Sequence, residues 1–537
     1  MSAATDRTEG VGAAVPVREG LYGQRVVAVE PGGVEYIPAA ERHGRPRHLF
    51  RTWMSPNLEF ATVFVGCIGV YLFGGSFWEV AAAAAIGTAL GALTHAVLSS
   101  WGPRFGVPQM VQGRAAFGFY GNALPAGLMS VTAGIGWFAV NSLSASLALS
   151  ALVGFAYPLS LVIIVAVQIA IAFFGHNLVQ RWERYAFIPL AIVFALACGF
   201  IFAHANFAYG PRPPASGGQI GAFILTAAAA FGYACGWNPY ASDYTRYLPA
   251  SCSRLMTGVW AGLGVFVSCT VMEVAGAALV TVAGTKWFGT NPTAQLHLAM
   301  PQAMYDVTLL CIALGGISAN ALNIYSGSMS FLTLGINIPS HLRRAIVALG
   351  FGVVGFVVAY TGLHDLGGKY QDFLLVISYW IGPWLGVILV DYVLRRGRFG
   401  DETIFYDRGH RNWAGPVALV VGGVLAVYLF SNQALYTGPL PKRVPQLGDL
   451  TFLVGFVLAA LTYYLLRRRS TGSRVRSSPE VLAGSPEPVR DDENEGGHDA
   501  GYESISARSQ IRPVRSSQLA LPPHGAGGVG LNSESCR

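Results

Sequence analysis

A tryptophan and an asparagine stand four residues apart in an apolar stretch of this sequence, at Trp137 and Asn141. Residues four apart lie on one face of a helix, so the indole ring and the carboxamide would face the same space. A second apolar stretch carries Asn320 and Asn323, which also share a face. Carboxamides offer donors and an acceptor, and an indole offers a flat surface for stacking. Together these residues suit a planar heterocycle with amide-like edges, although each alone could equally serve helix packing.

Another apolar stretch is interrupted at residues 236–239, a Gly-Trp-Asn-Pro sequence. A helix in lipid must satisfy its own backbone, so such an interruption is expected only where it is buried in protein or lines a cavity. The candidate counterpart near the start of the chain is the middle of an earlier stretch, at Gly66, Cys67 and Gly69. Interruptions at matching places in two halves of a chain point to a transport site. The alternative explanation of these glycines is close helix packing.

The composition places these residues in a membrane protein. Hydrophobic residues make up 53% of the 537 residues and charged residues only 12%, which is about half the charged fraction of a soluble domain. The apolar residues fall into runs of roughly 20 residues, each long enough to cross a hydrocarbon core about 30 Å thick. We therefore predict an all-α integral membrane protein with about twelve transmembrane helices, at about 54–74, 78–100, 121–150, 157–175, 185–204, 219–241, 257–284, 304–333, 345–362, 370–394, 413–431 and 449–466.

The predicted spans form two groups of five and a final pair, and an interrupted span begins each group of five. The expected organisation is an N-terminal segment at 1–50, a transporter domain at 51–468 with repeats at about 54–204 and 219–394 and extra helices at about 413–466, and a disordered tail at 469–537. The third and eighth spans are broad enough to hide breaks or strong tilt.

The basic residues predict the orientation, because short cytoplasmic loops are enriched in Lys and Arg. Placing the N-terminus inside puts Arg104, Arg114, Arg246 and Arg254 on one face, and few basic residues on the other. The even number of spans then puts both termini on the cytoplasmic side of the cell membrane. Lipid headgroups are the expected partners of the basic loops, so the net charge of +7 needs no nucleic acid.

The chain resembles the nucleobase:cation symporter-1 family, which contains the cytosine and purine permeases and the hydantoin, allantoin and uracil transporters. The likeness extends from about Val29 to Arg467. The segments that carry it are 41–44 with Trp53, Pro56 and Asn57, then 136–141, 236–247, 320–326 and 379–384. The most specific of these is the Asp-Tyr-Thr-Arg-Tyr sequence at 243–247.

This resemblance implies a leucine-transporter-type fold with two five-helix inverted repeats, and alternating access driven by a cation gradient. It implies that Trp137 stacks on the substrate ring and that Asn141 and Asn323 bind its edge. The tryptophan of the sixth helix corresponds most simply to Trp237, next to Gly236, with Tyr233 as a possible substitute. The expected substrate is a nucleobase such as cytosine or a purine. Allantoin, a hydantoin, uracil or a pyrimidine-containing vitamin is the alternative.

Two positions depart from the family pattern. Nucleobase-specific members often have Pro before the asparagine of the eighth helix, where this chain has Leu322. Sodium-coupled members use neighbouring hydroxyls in that helix, and here only Ser318 supplies one, because the preceding residue is Ile317. The expected co-transported ion is H⁺ or Na⁺, with no other cofactor. Ser318 and the intramembrane acid Glu273 are the candidate coupling residues, although Glu273 could instead be a purely structural buried acid.

Other function classes fit the sequence less well. A channel would need rings of charge or carbonyls along a pore, and no filter-like repeat occurs. An enzyme or a metal site would need clustered histidines or carboxylates at ligand spacing, whereas the histidines are scattered. A pump would need a phosphate-binding loop, which is also absent. A substrate-sensing receptor stays open as an alternative, but the tails contain no recognisable signalling domain.

Overall fold

The protein is helical wherever its structure is described. The computed structural model describes residues 15–17, 33–173, 176–210, 217–284, 291–336, 343–362, 366–397, 402–433 and 435–476, and every regular element in these ranges is a helix. Most of the predicted tail at 469–537 lies outside the described residues.

The helices are numbered along the chain, and the longer ones follow the predicted spans. In the first half they are α1 (His48–Met54), α2 (Phe60–Tyr71), α3 (Phe77–Ser99), the short α4 to α6 (Gly102–Phe105, Gln109–Gln112, Arg114–Phe117), α7 (Ala123–Val131), α8 (Phe138–Val153), α9 (Tyr157–Phe173) and α10 (His176–His204). In the second half they are α11 (Gly218–Cys235), α12 (Ala241–Thr245), α13 (Arg254–Ala283), α14 (Gln302–Thr333), α15 (Arg343–Thr361), α16 (Leu366–Leu394), α17 (Ala414–Phe430), α18 (Pro439–Arg443) and α19 (Thr451–Arg476).

Eight helical stretches in the described part of the chain are long and apolar enough to cross a membrane, and four shorter apolar helices accompany them. Each of the twelve predicted spans coincides with one of these twelve. That all twelve cross the membrane stays a prediction. The last helix continues to Arg476, past its predicted end at 466.

The first predicted span is interrupted, but not where the glycines suggested. The break separates α1 from α2 and consists of a 3₁₀ turn at Ser55–Asn57 followed by Leu58 and Glu59. Gly66 and Gly69 lie inside the continuous helix α2. The prediction of a break at Gly66–Gly69 is therefore wrong, because these glycines serve close packing instead.

The interruption of the sixth span lies where the sequence predicted it. Helix α11 ends at Cys235, a 3₁₀ turn occupies Asn238–Tyr240, and α12 begins at Ala241. Pro239 cannot donate a backbone hydrogen bond, so α11 cannot continue regularly through it. The third span also contains an irregularity, a π-helical turn at Thr132–Trp137 between α7 and α8. Such turns are frequent at functional sites.

Helices α2, α3, α11 and α13 pack together and are called the four-helix group below. Glycines bring their backbones into contact. A Cβ atom at Gly66 would lie 1.7 Å from the carbonyl oxygen of Glu273, and one at Gly276 would lie 1.8 Å from that of Val63. No side chain fits in these gaps, so only glycine permits this spacing.

An N-terminal strap, residues 33–43, lies across one end of the helices, called the N-terminal face. The carbonyl of Gly33 accepts a hydrogen bond from Nη1 of Arg246 at 3.1 Å, and the amide of Ile37 donates to the carbonyl of Gly106 at 3.0 Å. Arg42 donates from Nη1 to the carbonyl of Pro103 at 2.6 Å. These contacts tie the strap to α4, to the residue that follows α4, and to the end of α12.

Candidate functional site

The two helix interruptions meet at the centre of the protein. Nε1 of Trp237, beside the second break, donates a hydrogen bond to Oδ1 of Asn57 in the first break at 2.9 Å. The amide of Asn57 in turn donates to the carbonyl of Trp53 at 2.7 Å. All three side chains are buried. The paired interruptions predicted from the sequence are thus joined directly, although the first one lies earlier than expected.

Trp137, at the end of the π-helical turn, faces the second interruption. Its ring lies edge-on to Tyr233 and to Phe373, with centroid distances of 5.1 Å in both pairs. A Cβ atom at Gly236 would lie 3.1 Å from the indole of Trp137, which is tighter than ordinary contact. The structure therefore brings together Trp137, Gly236 and Tyr233, the residue considered as a substitute for Trp237.

Trp237 has different neighbours. Its ring contacts Trp53 at a centroid distance of 5.9 Å and Tyr240 at 5.2 Å. No ring contact joins Trp237 to Trp137 among the described residues. The two indoles thus have different ring neighbours, and whether both flank a bound ring stays a prediction.

The predicted asparagines form one cluster between α8 and α14. Oδ1 of Asn320 accepts hydrogen bonds from the amide groups of Asn141 at 3.2 Å and Asn323 at 3.0 Å. The hydroxyl of Tyr240 donates to Oδ1 of Asn323 at 2.7 Å and so links the cluster to the second interruption. Oδ1 of Asn141 is buried and has no hydrogen-bond partner among the described residues. A buried acceptor without a partner is costly, which makes this oxygen available to a ligand donor.

Glu59 is a further residue of this region, and the sequence analysis missed it. It is fully buried and caps α2, where Oε2 accepts from the amide of Ala61 at 2.6 Å and Oε1 from that of Thr62 at 3.1 Å. Oε1 also accepts from the hydroxyl of Tyr233 at 3.1 Å. Tyr233 therefore stands between this carboxyl and the ring of Trp137. The signal in the sequence was an acid two residues after Pro56-Asn57, at the polar start of an apolar run.

The two candidate ion-coupling residues lie apart from each other. Oγ of Ser318 is 3.5 Å from Oγ of Ser55, so α14 meets the first interruption at two hydroxyls. Glu273 instead lies inside the four-helix group, where Oε2 accepts a hydrogen bond from Thr88 at 2.7 Å. In the described part of the chain, no hydrogen bond or ring contact joins Glu273 to Trp137 or to the asparagine cluster. The role of either residue in coupling stays a prediction.

A cavity of about 270 Å³ leads from this region toward the face opposite the N-terminal strap. Gly136 and Phe373 line the part next to Trp137, while Lys369, in the first turn of α16, and Pro292, at the start of a 3₁₀ helix, line another part. The rest of the lining is mostly apolar, from Phe60, Ala61, Phe64, Ala139, Val140, Leu143, Ser144, Leu147, Val358, Ala359, Thr361, Gly362, Leu366 and Tyr370. A largely apolar cavity with few polar groups is typical of a small-molecule site.

Side chains close the path on the N-terminal face. Oδ1 of Asp243 accepts a hydrogen bond from the backbone amide of Gln109 at 2.9 Å. The hydroxyls of Tyr247 and Tyr325 are 3.0 Å apart, and Nη2 of Arg246 lies within 3.4 Å of both. Arg246 is fully buried, with an exposed fraction of 1%. The region around Trp137 is thus approached from one face and sealed from the other.

Comparison with known proteins shows the family of this chain. The family profile for permeases of cytosine and purines, uracil, thiamine and allantoin matches residues 36–455. YxlA of Bacillus subtilis, named as a purine-cytosine permease, is 30% identical over 449 residues, which cover 82% of this chain and 96% of YxlA. The purine-cytosine permease fcyB of Emericella nidulans is 27% identical over 478 residues, covering 84% and 93% of the two chains.

Among solved structures, Mhp1 in its closed conformation with bromovinylhydantoin bound is similar over 83% of this chain and 96% of Mhp1. The TM-score is 0.62 at 19% sequence identity, which shows a shared fold. Mhp1 is described as a transporter of the nucleobase-cation-symport-1 family. The relatives are permeases and transporters, so the prediction that this chain is no enzyme is confirmed. The chain belongs to the nucleobase:cation symporter-1 family of membrane permeases.

Proposed function

We propose that this protein imports a nucleobase or a related planar heterocycle together with a cation, by alternating access. The observation that carries the proposal is the arrangement around Trp137: an aromatic ring beside a cavity, with the unpartnered amide oxygen of Asn141 one helical turn away. A planar ring stacked on the indole would bring its edge toward that oxygen. A donor on the edge would then satisfy a buried acceptor that otherwise lacks a partner.

Relatives support this substrate class. YxlA and fcyB are named as purine-cytosine permeases, other relatives as a vitamin B6 transporter of Saccharomyces cerevisiae and an allantoin permease of Bacillus subtilis, and Mhp1 was solved with a hydantoin. Cytosine or a purine is our first choice because the first two relatives align over most of the chain. Leu322 favours the alternative, since nucleobase-specific members often have Pro there.

Alternating access fits a site that is approached from one face and sealed from the other. Substrate and cation would enter by the cavity lined by Phe373, and the contacts of Arg246 and Tyr325 would have to part for release. With the N-terminal face in the cytoplasm, as the basic residues predict, this direction is import. Lipids of the cell membrane surround the helices, and both termini are cytoplasmic.

The test is uptake by purified protein in liposomes. Vesicles loaded with unlabelled cytosine, hypoxanthine, uracil or allantoin are diluted into the labelled compound, and exchange is followed without any ion gradient. We expect saturable exchange of at least one compound, with competition by its close analogues. Failure of all four to exchange, with protein present in the vesicles, would contradict the proposal. A channel would instead give uptake that does not depend on the internal compound, and a receptor would give binding alone.

A further inference from the structure

Two buried carboxyl groups occur in the four-helix group, Glu59 at its end and Glu273 in its interior. Both side chains are fully buried. In the described part of the chain, neither of them takes part in an ion pair. A buried carboxylate without a cation is costly, so such a group either holds a proton or is surrounded by strong donors.

The groups that face Glu59 come from several helices. Within the break and α2, these groups are the amides of Ala61 and Thr62 and the hydroxyl of Thr62. Helix α11 contributes the hydroxyl of Tyr233, α16 contributes Tyr370, and α13 contributes Cys269, with Glu273 further along the same helix. Helix α14 contributes the backbone at Gly315. None of these is basic. The negative charge of Glu59 is therefore balanced by hydrogen-bond donors alone.

One of these donors can change partner. The hydroxyl of Thr62 lies 2.7 Å from the carbonyl of Asn57, to which it donates. The hydroxyl of Tyr233 lies 2.5 Å from that of Thr62 and 3.1 Å from Oε1 of Glu59. Tyr233 can thus donate to either oxygen. If it turns away, Glu59 loses a donor, and the charge becomes more costly unless a proton binds.

Tyr233 is also the residue that links Glu59 to the substrate region. Its ring lies edge-on to Trp137 at 5.1 Å, so a heterocycle stacked on Trp137 would press on or replace this contact. Occupation of the site and the hydrogen bond to Glu59 are therefore joined through one side chain. Any such link is reciprocal: if the substrate changes proton affinity, the proton changes substrate affinity equally.

We propose that Glu59 carries the coupling proton of transport. This inference rests on the proposed function and names the residue that binds the co-transported cation. When substrate binds, the carboxylate takes a proton from hydronium of the solution on the cavity side, and after the Arg246 contacts part the carboxylic acid gives it to water on the N-terminal face, which forms hydronium there. No bond other than the O–H bond forms or breaks.

Glu273 serves as the matched comparison. It is as deeply buried as Glu59 and belongs to the same helix group, but its recorded partner is Thr88 of α3, and Oε1 has no partner among the described residues. It lies beside Gly66, seven residues along α2 from Glu59, which corresponds to roughly 10 Å of helix. The proposal therefore replaces Glu273, the acid that the sequence analysis named as a coupling candidate, and gives it a structural role as a permanently protonated acid.

The experiment compares Glu59→Gln and Glu273→Gln in liposomes, using whichever of cytosine, hypoxanthine, uracil and allantoin the wild type exchanges. Two rates are measured: exchange without a gradient, and accumulation driven by an imposed pH difference of one unit at zero sodium. A one-to-one symporter can then accumulate substrate up to about tenfold. We expect Glu59→Gln to lose accumulation above equilibrium while exchange falls far less, and Glu273→Gln to accumulate as wild type does.

A second measurement distinguishes loss of proton coupling from poor transport by a variant. Purified protein in weak buffer with a pH-sensitive dye should take up about one proton per substrate bound in the wild type and in Glu273→Gln, and none in Glu59→Gln. Accumulation or proton uptake by Glu59→Gln at wild-type level would overturn the inference. Accumulation by the wild type with a sodium gradient but not with a proton gradient would also overturn the inference. That result would leave the proposed function intact. Absence of exchange by the wild type would instead refute the proposed function itself.

Discussion

Trp237 donates its indole hydrogen to Asn57 across the 2.9 Å that separate the two helix interruptions. Each break leaves backbone groups outside regular helices, and this hydrogen bond fixes the breaks relative to each other. Trp137, Gly236 and Tyr233 meet beside the second of these breaks. Both of the bonded side chains are buried, so neither has water as a substitute partner.

We expect Trp237→Phe to slow transport, because it keeps an aromatic ring but leaves Oδ1 of Asn57 buried without its donor. An unsatisfied buried polar group costs about 1–3 kcal/mol. Asn57→Ala and the double variant complete a double-mutant cycle. The second substitution should add little once the first has been made. Additive effects of the two single changes on exchange rate would mean that this hydrogen bond does not matter for transport.

Trp137→Ala should raise the apparent KM strongly while the protein still reaches the membrane. The stacking contribution alone, about 0.5–1.5 kcal/mol, corresponds to roughly a 2- to 12-fold loss of affinity. Trp137→Phe should recover part of it, since a flat ring remains. Uptake kinetics are compared at equal amounts of protein in the membrane. Unchanged KM in Trp137→Ala would remove this ring from the site.

Gly236→Ala should lower substrate affinity, because the added Cβ would lie 3.1 Å from the indole of Trp137 and push it out of place. Gly199→Ala is the control: this glycine lies in helix α10, and an added Cβ would meet nothing within 4 Å. We expect a several-fold rise in KM for the first variant and none for the second. Equal kinetics in both would show that the Trp137 position tolerates displacement.

Asn323→Ala should weaken transport by roughly one to two orders of magnitude, if it leaves one buried partner unsatisfied at about 1–3 kcal/mol. Its effect should also differ between substrates, since Asn323 belongs to the asparagine cluster that we propose binds the ring edge. Tyr240→Phe is the matched variant, because it removes only the hydroxyl that donates to Asn323. Uptake of the four labelled compounds is ranked for each variant. A uniform loss with unchanged ranking would make Asn323 a structural residue.

Uptake should follow a proton gradient at least as strongly as a sodium gradient. The hydroxyls of Ser55 and Ser318 approach within 3.5 Å, but Ile317 supplies no further oxygen from its side chain. Sodium prefers several oxygen ligands, so we expect little effect of its removal. The measurement is uptake at constant pH and membrane potential with and without sodium. Loss of uptake on sodium removal would contradict this expectation.

The lengths of the apolar runs predict most of the helices, but they do not predict the position of the first break. Gly66 and Gly69 resemble a helix interruption in sequence, yet both lie at close helix contacts, Gly66 against the backbone of α13 and Gly69 against the side chains of Val80 and Thr226. The actual break uses Pro56 and Asn57, which stand at the edge of the apolar run and look like the residues that precede a helix. Hydropathy cannot distinguish these cases, because both place small or polar residues near a span.

Only part of the candidate site can be predicted from the sequence. Trp137, Asn141 and Asn323 stand out because polar or aromatic groups are rare at membrane depth. Glu59 was missed because it directly precedes the apolar helix that it caps. Arg114 and Arg246 looked like headgroup-facing charges, but both are buried and donate to backbone carbonyls. Residue type alone does not reveal whether a loop arginine meets lipid or folds back onto the chain.

The glycine contacts within the four-helix group have a mechanical consequence. With the spaces beside Gly66 and Gly276 too narrow even for a methyl group, α2 and α13 have no room to slide or roll over each other by a fraction of a turn. A displacement large enough to open the N-terminal face therefore has to move these two helices together as one rigid body. The backbone must then bend elsewhere, and the irregular backbone between α1 and α2 is the place where it can bend.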